Sequence, residues 1–190
     1  MTTADAERCI VKFAGAFSYL SNFHPSPFRL HGIMWPTAEH AFQGFKSRDE
    51  DEWHEMAAIP TPGGAKQAGR RLDLRPDWEL VKKRVMFDVV MAKFSHNPEL
   101  RGWLCATNSM HLAEGNTWHD QYWGDCHCGR AACSEPGSNY LGKCLMGVRM
   151  ILGDDRVPHG SAALPACREC ANSPEDAARH EFHSQIGTPK

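Results

Sequence analysis

The chain has 190 residues, of which 42% are hydrophobic and 23% charged, and its formal net charge at pH 7 is −2. These values are typical of a folded globular protein, and the length favours one sizeable domain over two. The near-neutral charge argues against a protein whose whole surface follows nucleic acid, although a local basic patch is compatible with it.

The amino-terminal residues and the cysteine count bear on the cellular compartment. Residues 1–8 form a polar tail without the apolar core of a signal peptide, and no stretch reaches the roughly 18 apolar residues that a membrane span needs. We therefore expect a cytoplasmic protein with no membrane association. In that compartment the eight cysteines are expected to be free thiols or metal ligands rather than disulfides.

The first half of the chain predicts short strands and helices. Its pattern indicates a strand at residues 9–13, a turn-rich loop at 17–28, and a hairpin with arms at 28–30 and 33–35. A helix is predicted from Thr37, as N-cap, to Lys46 or beyond. A break at 60–64 then precedes a short helix at 65–70.

The second half is dominated by longer helices around one irregular segment. Three- and four-residue apolar steps predict a helix at 77–94 with Pro76 at its first position, and Asn97 and Pro98 start another. A short strand is predicted at 110–114, and a last core helix begins near Asn139. Between them, residues 115–138 are rich in Trp, Gly, Cys and His, which is typical of a loop that carries a site.

The helix that begins at Thr37 carries an apolar stripe and a polar one. Glu39, Gln43 and Lys46 recur at helical spacing, which predicts that they share one face. A rise of about 1.5 Å per residue would place the backbones of Glu39 and Lys46 roughly 10 Å apart. Either a polar ligand lies between these side chains, or they face water.

The run 118–124 places one carboxylate among three aromatic side chains. A carboxyl at Asp120 in an apolar wall would have a raised pKa and could donate a proton to a leaving group. The alternative is that the tryptophans are core residues and Asp120 is a turn or cap residue.

Two further features could bind phosphate. Residues 137–142 open a helix whose backbone N–H groups could hold a phosphate or ribose oxygen, although a structural cap is the simpler interpretation. The basic residues concentrate in one region, where they could bind pyrophosphate or a nucleic-acid backbone or merely form a solvated face: Lys66, Arg70, Arg71, Arg75, Lys82, Lys83 and Arg84.

Cysteine and histidine cluster in two places. The aromatic segment contains Cys126, His127, Cys128 and Cys133, whereas the segment after Gly153 has a CxxC followed by an HxxH. Two thiolates and two imidazoles could close a structural zinc site in that tail, with spacings tighter than in the usual finger; the candidate ligands are Cys167, Cys170, His180 and His183. An unliganded tail is the alternative, and catalytic zinc is not expected.

Across about residues 13–152 the chain resembles the NADAR family, also called YbiA-like proteins. The similarity is carried, in family order, by Leu20, Ser21, Asn22, Phe23, Gly32, Glu39, His40, Ala41, Phe42, Gln43, Lys46, Ala65, Lys66, Gly69, Arg70, Trp78, Val81, Lys82, Val85, Met86, Lys93, Phe94, Asn97, Pro98, Leu112, Glu114, Asp120, Trp123, Gly124, Asn139, Leu141, Gly142, Leu145, Met146 and Arg149.

The resemblance implies a fold and an activity. The implied fold is α+β, a compact helix-rich single domain with a small β-sheet, spanning residues 9–153. A Cys-rich insertion at 125–137 and an appendage at 154–190, which could bind zinc, depart from the family core. The implied activity is an N-glycosidase that removes ADP-ribose from ADP-ribosylated guanine in nucleic acid, reversing a DarT-type modification. A functional pairing with an ADP-ribosyltransferase toxin follows from that activity. Other members cleave riboflavin-pathway intermediates, which makes that substrate the alternative.

The resemblance also assigns roles to residues of this chain. Glu39 and Asp120 are the expected acid/base pair, and no cofactor is required for catalysis. Lys46 either holds ribose or phosphate or, as the resemblance favours, forms a Schiff base with the opened ribose. The expected substrate-binding residues are Ser21, Asn22, Phe23, Gln43, Arg70, Trp78, Glu114, Trp123, Gly124 and Asn139. A module that reads ADP-ribose without cleaving it is the alternative from another class, but such a module would not need Glu39, Lys46 and Asp120.

Overall fold

The computed structural model describes residues 9–153, and this part of the chain has the expected α+β, helix-rich fold. Its α-helices are α1 (Ala38–Gly44), α2 (Glu50–Ala57), α3 (Pro62–Ala68), α4 (Trp78–His96), α5 (Pro98–Ala106) and α6 (Tyr140–Gly153). Short 3₁₀ helices occur at Gly15–Leu20 and Ala131–Cys133. None of the helices in residues 9–153 has the length and apolar character to cross a bilayer.

The strands form three separate two-stranded sheets within the described range. Strand β1 (Cys9–Ile10) pairs in parallel with β4 (His111–Leu112), and β5 (Gly115–Asn116) pairs in parallel with β6 (Asp125–Cys126). The predicted strands at 9–13 and 110–114 are thus only two residues long. The predicted hairpin is confirmed, because β2 (Phe28–Leu30) runs antiparallel to β3 (Ile33–Trp35). Its turn residues, His31 and Gly32, have φ values of 50° and 79°, as a tight hairpin requires.

Helix α1 begins as predicted and ends earlier than predicted. The Thr37 hydroxyl accepts the backbone N–H of His40 at 3.4 Å, which caps the first turn. The helix ends at Gly44, where an added Cβ would lie 2.6 Å from the Trp35 ring. Lys46 therefore lies in the turn after the helix and not on its face, so the helical-rise estimate of its distance from Glu39 does not apply.

The sequence pattern misplaces the start of one helix and does not predict another. Helix α4 begins after Asp77, so Pro76 lies outside the helix and not at its first position. Helix α2 was not predicted: only Met56 among its residues is buried, which leaves too weak an apolar period to recognise. The carboxylate of Asp49 caps α2 by accepting the Asp51 N–H at 2.9 Å.

Helices α1 and α4 lie between two apolar clusters and contribute to both. Phe42 of α1 and Phe94 of α4 belong to the cluster completed by α5 and α6. Phe45, next to α1, and Val89 of α4 belong to the cluster formed with the hairpin, α2 and α3. Because α1 packs against both apolar clusters, the helix is held rigidly, and this fixes the position of its polar side chains.

Candidate active site

A cleft of about 460 Å³ opens beside helix α1. It is lined by Ser21, Asn22, Phe23, Glu39, Phe42, Gln43, Lys46, Lys66, Arg70, Trp78, Glu79, Lys82, Met86, Glu114, Trp118, Asp120 and Trp123. The three residues expected to perform the chemistry, Glu39, Lys46 and Asp120, all lie on its walls. The polar stripe of α1 thus faces the cleft.

Glu39 is the buried carboxylate of the cleft. Glu39 is only 5% exposed, and its Oε1 accepts the Gln43 amide N–H at 2.8 Å. Burial raises the pKa of Glu39, and the nearby Asp120 acts in the same direction. The Gln43 hydrogen bond and the positive charges of Lys66 and Lys46 oppose that rise. Glu39 can therefore exchange a proton more readily than an exposed glutamate can.

Lys46 is half-buried, and its Nζ donates to the Gly69 carbonyl at 3.2 Å. Burial lowers the pKa of this ammonium group, Arg70 and Lys66 act in the same direction, and Glu39 opposes them. A lysine with a lowered pKa has a larger fraction of neutral amine, the form that attacks carbon.

Glu114 lies between β4 and β5 and, after Glu39, is the second carboxyl of the cleft with a raised pKa. Burial, followed by the negative charges of Asp120 and Glu39, raises the pKa of Glu114 to about 7. Its backbone N–H donates to the Asn139 Oδ1 at 3.1 Å, while the Asn139 Nδ2 donates to the Leu112 carbonyl at 2.8 Å. The Asn139 side chain therefore fixes the backbone at Leu112 and Glu114.

Asp120 serves the local turn and also faces the cleft. Its Oδ1 accepts the backbone N–H groups of Tyr122 at 3.1 Å and Trp123 at 2.8 Å. The turn role considered from the sequence is thus real. It does not exclude a role at the cleft, since both hydrogen bonds use the same oxygen.

The loop that carries Ser21, Asn22 and Phe23 is held in place by a buried lysine. Lys93 of α4 is 1% exposed, and its Nζ donates to the carbonyls of Tyr19 at 2.7 Å and Ser21 at 2.9 Å. The Asn22 carbonyl accepts the Glu39 backbone N–H at 3.0 Å, which joins this loop to α1. The Asn22 Oδ1 and Gln43 Oε1 are buried without a hydrogen-bond partner among the described residues.

The basic concentration divides between the cleft and surface ion pairs. Lys66, Arg70 and Lys82 line the cleft together with Lys46, and Lys82 pairs there with Glu79. Arg75 instead pairs with Asp77 at 2.7 Å, and Arg84 pairs with Asp88 at 2.7 Å. Only part of this basic run is therefore placed to meet an anionic ligand in the cleft.

Aromatic side chains form both the base and the rim of the cleft. Phe42 lies between Trp78 and Trp123, with ring centroids 5.2 and 5.1 Å away. Trp78 is 6% exposed, whereas Trp118 is 60% and Phe23 39% exposed. Because stacking requires a free ring face, Trp118 and Phe23 present larger surfaces to a base than Trp78 does.

The structure brings most of the expected binding residues together, with two exceptions and several additions. Gly124 and Asn139 are not among the lining residues; the Gly124 carbonyl accepts the Asn139 N–H at 3.2 Å behind the wall. Additional lining residues are Phe42, Lys66, Glu79, Lys82, Met86 and Trp118. Lys66 and Lys82 belonged to the basic run and Trp118 to the aromatic motif, so a signal for them existed.

Candidate metal ligands meet outside the cleft. His119, Cys126, Cys128 and Cys133 bring their ligand atoms within 4.8 Å of one another. The four tail residues considered as zinc ligands, Cys167, Cys170, His180 and His183, lie outside the described residues.

Comparison with known proteins shows that the chain is similar to N-glycosidases and to a riboflavin biosynthesis protein. The NADAR domain family model matches residues 12–153. N-glycosidase YbiA of Escherichia coli K12 is 40% identical over 131 residues, which cover 68% of this chain and 78% of that protein. The chloroplastic riboflavin biosynthesis protein PYRR of Zea mays is 32% identical over 155 residues, covering 72% of this chain and 24% of that protein. The NMR structure of E. coli YbiA superposes with a TM-score of 0.65 at 32% identity, covering 83% of this chain and 98% of that chain.

Proposed function

Because the chain belongs to the NADAR domain family and is a hydrolase acting on N-glycosyl bonds, we propose that its substrate is ADP-ribose joined to guanine in nucleic acid. In this proposal the enzyme releases ADP-ribose and restores the base, reversing the product of a DarT-type ADP-ribosyltransferase toxin. A cytoplasmic location and a functional pairing with such a toxin are parts of the same proposal.

The observation that carries this proposal is the convergence of carboxyls, an amine and cations in one cleft. Glu39, Glu114 and Asp120 face a space that Lys46 also lines. Cleaving a C–N glycosidic bond requires a proton for the departing base and a group that receives the anomeric carbon. A pure reader of ADP-ribose requires neither, and a buried carboxyl is costly to keep without a use.

Charge complementarity supports a diphosphate-bearing substrate. Lys66 and Arg70 add two cationic groups to the cleft of a chain with a net charge of −2, and Lys82 adds a third that pairs with Glu79 of the same cleft. Arginine and lysine bind phosphate oxygens by charge-assisted hydrogen bonds. The exposed rings of Trp118 and Phe23 offer stacking faces for adenine or for the modified guanine.

The geometry fits a covalent route through Lys46. Glu39 accepts a proton from the Lys46 ammonium, and the neutral Nζ attacks the ribose C1′ as its bond to guanine nitrogen breaks. The Glu114 carboxyl, with a pKa of about 7, gives its proton to the departing base. The C1′–O4′ bond then breaks as protonated Glu39 gives its proton to O4′ and takes one from Nζ, which leaves an imine between C1′ and Nζ. One water molecule hydrolyses the imine, which returns ADP-ribose and free Lys46.

Borohydride trapping tests the covalent route. Reduction during turnover of ADP-ribosylated guanosine should leave a stable adduct on Lys46, detectable by peptide mass spectrometry, and Lys46→Arg should abolish both adduct and turnover. Lys12→Arg is the matched control, since Lys12 is exposed and not among the cleft residues. An active enzyme that yields no Lys46 adduct contradicts the covalent route and leaves Lys46 with a binding role.

A riboflavin-pathway ribose phosphate is the second candidate substrate. It is favoured by the similarity to the maize riboflavin biosynthesis protein, and the cleft cations could equally hold one terminal phosphate. Incubation with DNA carrying ADP-ribosylated guanine, and separately with that ribose phosphate, identifies the substrate from the product released. We expect release of ADP-ribose from the DNA. Turnover of the ribose phosphate alone would overturn the proposal in favour of the second candidate.

A further inference from the structure

Three thiols of the insertion at residues 125–137 meet the imidazole of His119, which precedes the insertion. We propose that His119, Cys126, Cys128 and Cys133 form a structural zinc site. The site lies outside the cleft, so this inference does not depend on the identity of the substrate. Its ligands are distinct from the CxxC and HxxH residues after Gly153.

The distances within the cluster fit tetrahedral coordination. The His119 Nδ1 lies 3.4 Å from the Cys133 sulfur and 3.3 Å from the Cys128 sulfur, and all four ligand atoms lie within 4.8 Å of one another. A tetrahedron with zinc–sulfur bonds of about 2.3 Å and zinc–nitrogen bonds of about 2.0 Å has nitrogen–sulfur edges of about 3.5 Å. Small shifts of side chains are enough to close such a site.

The chemistry of the donors selects the metal. Three cysteines and one histidine are a common ligand set for structural zinc, whereas calcium and magnesium prefer oxygen donors. Four protein ligands also leave no open position for water or substrate, so the site has no catalytic role.

Two residues of the cluster region, His119 and Gly129, have positive φ values. His119 has a φ of 69°, unusual for a residue with a side chain. The buried Asn116 holds that conformation, because its Oδ1 accepts the N–H groups of Trp118 and Asp120, each at 3.2 Å. Gly129 has a φ of 78° and turns the chain after Cys128.

The segment also lacks any other core that could hold it. Between Gly124 and Asn139, no described residue belongs to either apolar cluster. The buried apolar side chains in that segment are those of Cys126 and Cys133, and strands β5 and β6 are two residues long. Segments without a sufficient core are commonly held by a metal or by cross-links.

The site has a consequence for the cleft. His119 lies between Trp118 and Asp120, which both line the cleft. A zinc ion bound by His119 and the three cysteines would hold the segment that carries Trp118 and Asp120 in place, as a structural ion holds the loop that it ligates.

Metal analysis of the full chain tests the site and separates it from the tail. The protein is expressed with added zinc and purified under reducing conditions, and zinc is measured by mass spectrometry after thiol modification releases it. Cys128→Ser/Cys133→Ser should contain one zinc equivalent less than wild type. Cys167→Ser/Cys170→Ser should keep the equivalent that the insertion variant loses. Cys9→Ser/Cys105→Ser, which removes thiols outside the cluster, should match wild type.

Cobalt spectra identify the ligands even where a cysteine variant folds poorly. In the Cys167→Ser/Cys170→Ser background, Co²⁺ should give the intense visible bands of tetrahedral coordination and thiolate charge transfer. His119 is exposed, so its replacement spares the core. His119→Ala should weaken cobalt binding by on the order of 100-fold, at least as much as loss of an outer-shell partner does. His119→Cys should restore binding with a red-shifted, four-thiolate spectrum.

Three results would overturn the proposal. The first is an insertion variant that holds as much zinc as wild type. The second is a cobalt spectrum that does not change at either His119 replacement. The third is a protein that, expressed with added zinc and purified under reducing conditions, holds no zinc while Cys126, Cys128 and Cys133 are all free thiols.

Discussion

At the scale of single residues, the Glu39 carboxylate is the proton acceptor of the proposed route through Lys46. Glu39→Gln keeps the volume and the contact with Gln43 but removes this proposed acceptor. We expect kcat to fall by at least about 100-fold, the usual contribution of a positioned acid or base. Substrate binding, measured by calorimetry with ADP-ribose, should change little. Glu99→Gln on α5 is the control, and turnover near the wild-type rate in Glu39→Gln would show that Glu39 is not essential.

Glu114 should set the alkaline limb of the pH–rate profile. Its pKa is raised to about 7, so the protonated form, which donates to the departing base, is lost as the pH rises above about 7. We expect kcat/KM, which reports the acid of the free enzyme, to decline tenfold per pH unit beyond that point when proton donation limits the reaction. Glu114→Gln cannot donate this proton, so its residual activity should be low and should lack the decline. A wild-type rate that stays level between pH 7 and 9 would contradict this role.

At the scale of elements, the close approach of α3 to α1 depends on a glycine. Gly69 ends α3, and a Cβ added there would lie 2.0 Å from the Gln43 Oε1. Gly69→Ala should displace Gln43, break its hydrogen bond to Glu39, and lower the free energy of unfolding by about 1–3 kcal/mol, as overpacking does. Activity should fall with it. The measurements are urea unfolding and turnover.

Gly63 provides the matched control for that substitution. It lies in the same helix with no atom within 4 Å of an added Cβ, so Gly63→Ala should keep activity and gain up to about 1 kcal/mol from helix propensity. Adding Gln43→Ala to Gly69→Ala removes the contacts with Oε1 and Cδ but leaves the Cβ of residue 43 at 2.9 Å, so it should recover part of the stability without recovering activity. If Gly69→Ala behaves like Gly63→Ala, the contact between α3 and Gln43 has no functional importance.

At the scale of the whole molecule, the sequence predicts the structural features that depend on neighbouring residues. It does not predict those that depend on contacts between residues far apart in the chain. The cap at Thr37, the hairpin turn at His31 and the apolar period of α4 all act within a few residues, and the structure contains each of them. The end of α1 at Gly44 could not be predicted, because the Trp35 ring that crowds it comes from another element.

The same limit applies to the two features that support the cleft. The meeting of His119 with the cysteines depends on loop geometry that no spacing rule describes. Lys93 occurs in an apolar helix pattern, but its burial is explained only by carbonyl groups 72 and 74 residues away along the chain. In contrast, the stripe that begins at Glu39 was recognisable, because two of its three members lie on one short helix.

The buried Lys93 amine links the stability of the whole molecule to pH. Burial lowers the pKa of Lys93 from 10.5 to about 7, so between these values the unfolded chain binds a proton that the folded chain does not. The free energy of unfolding should therefore rise with pH across that range, by about 1.4 kcal/mol per pH unit from this group. Urea unfolding of wild type and Lys93→Met from pH 7 to 10 isolates this contribution as the difference between their slopes. Lys143→Met, at an exposed position, should keep the wild-type slope. Parallel curves for wild type and Lys93→Met would mean that Lys93 stays charged when folded, held by the carbonyls of Tyr19 and Ser21.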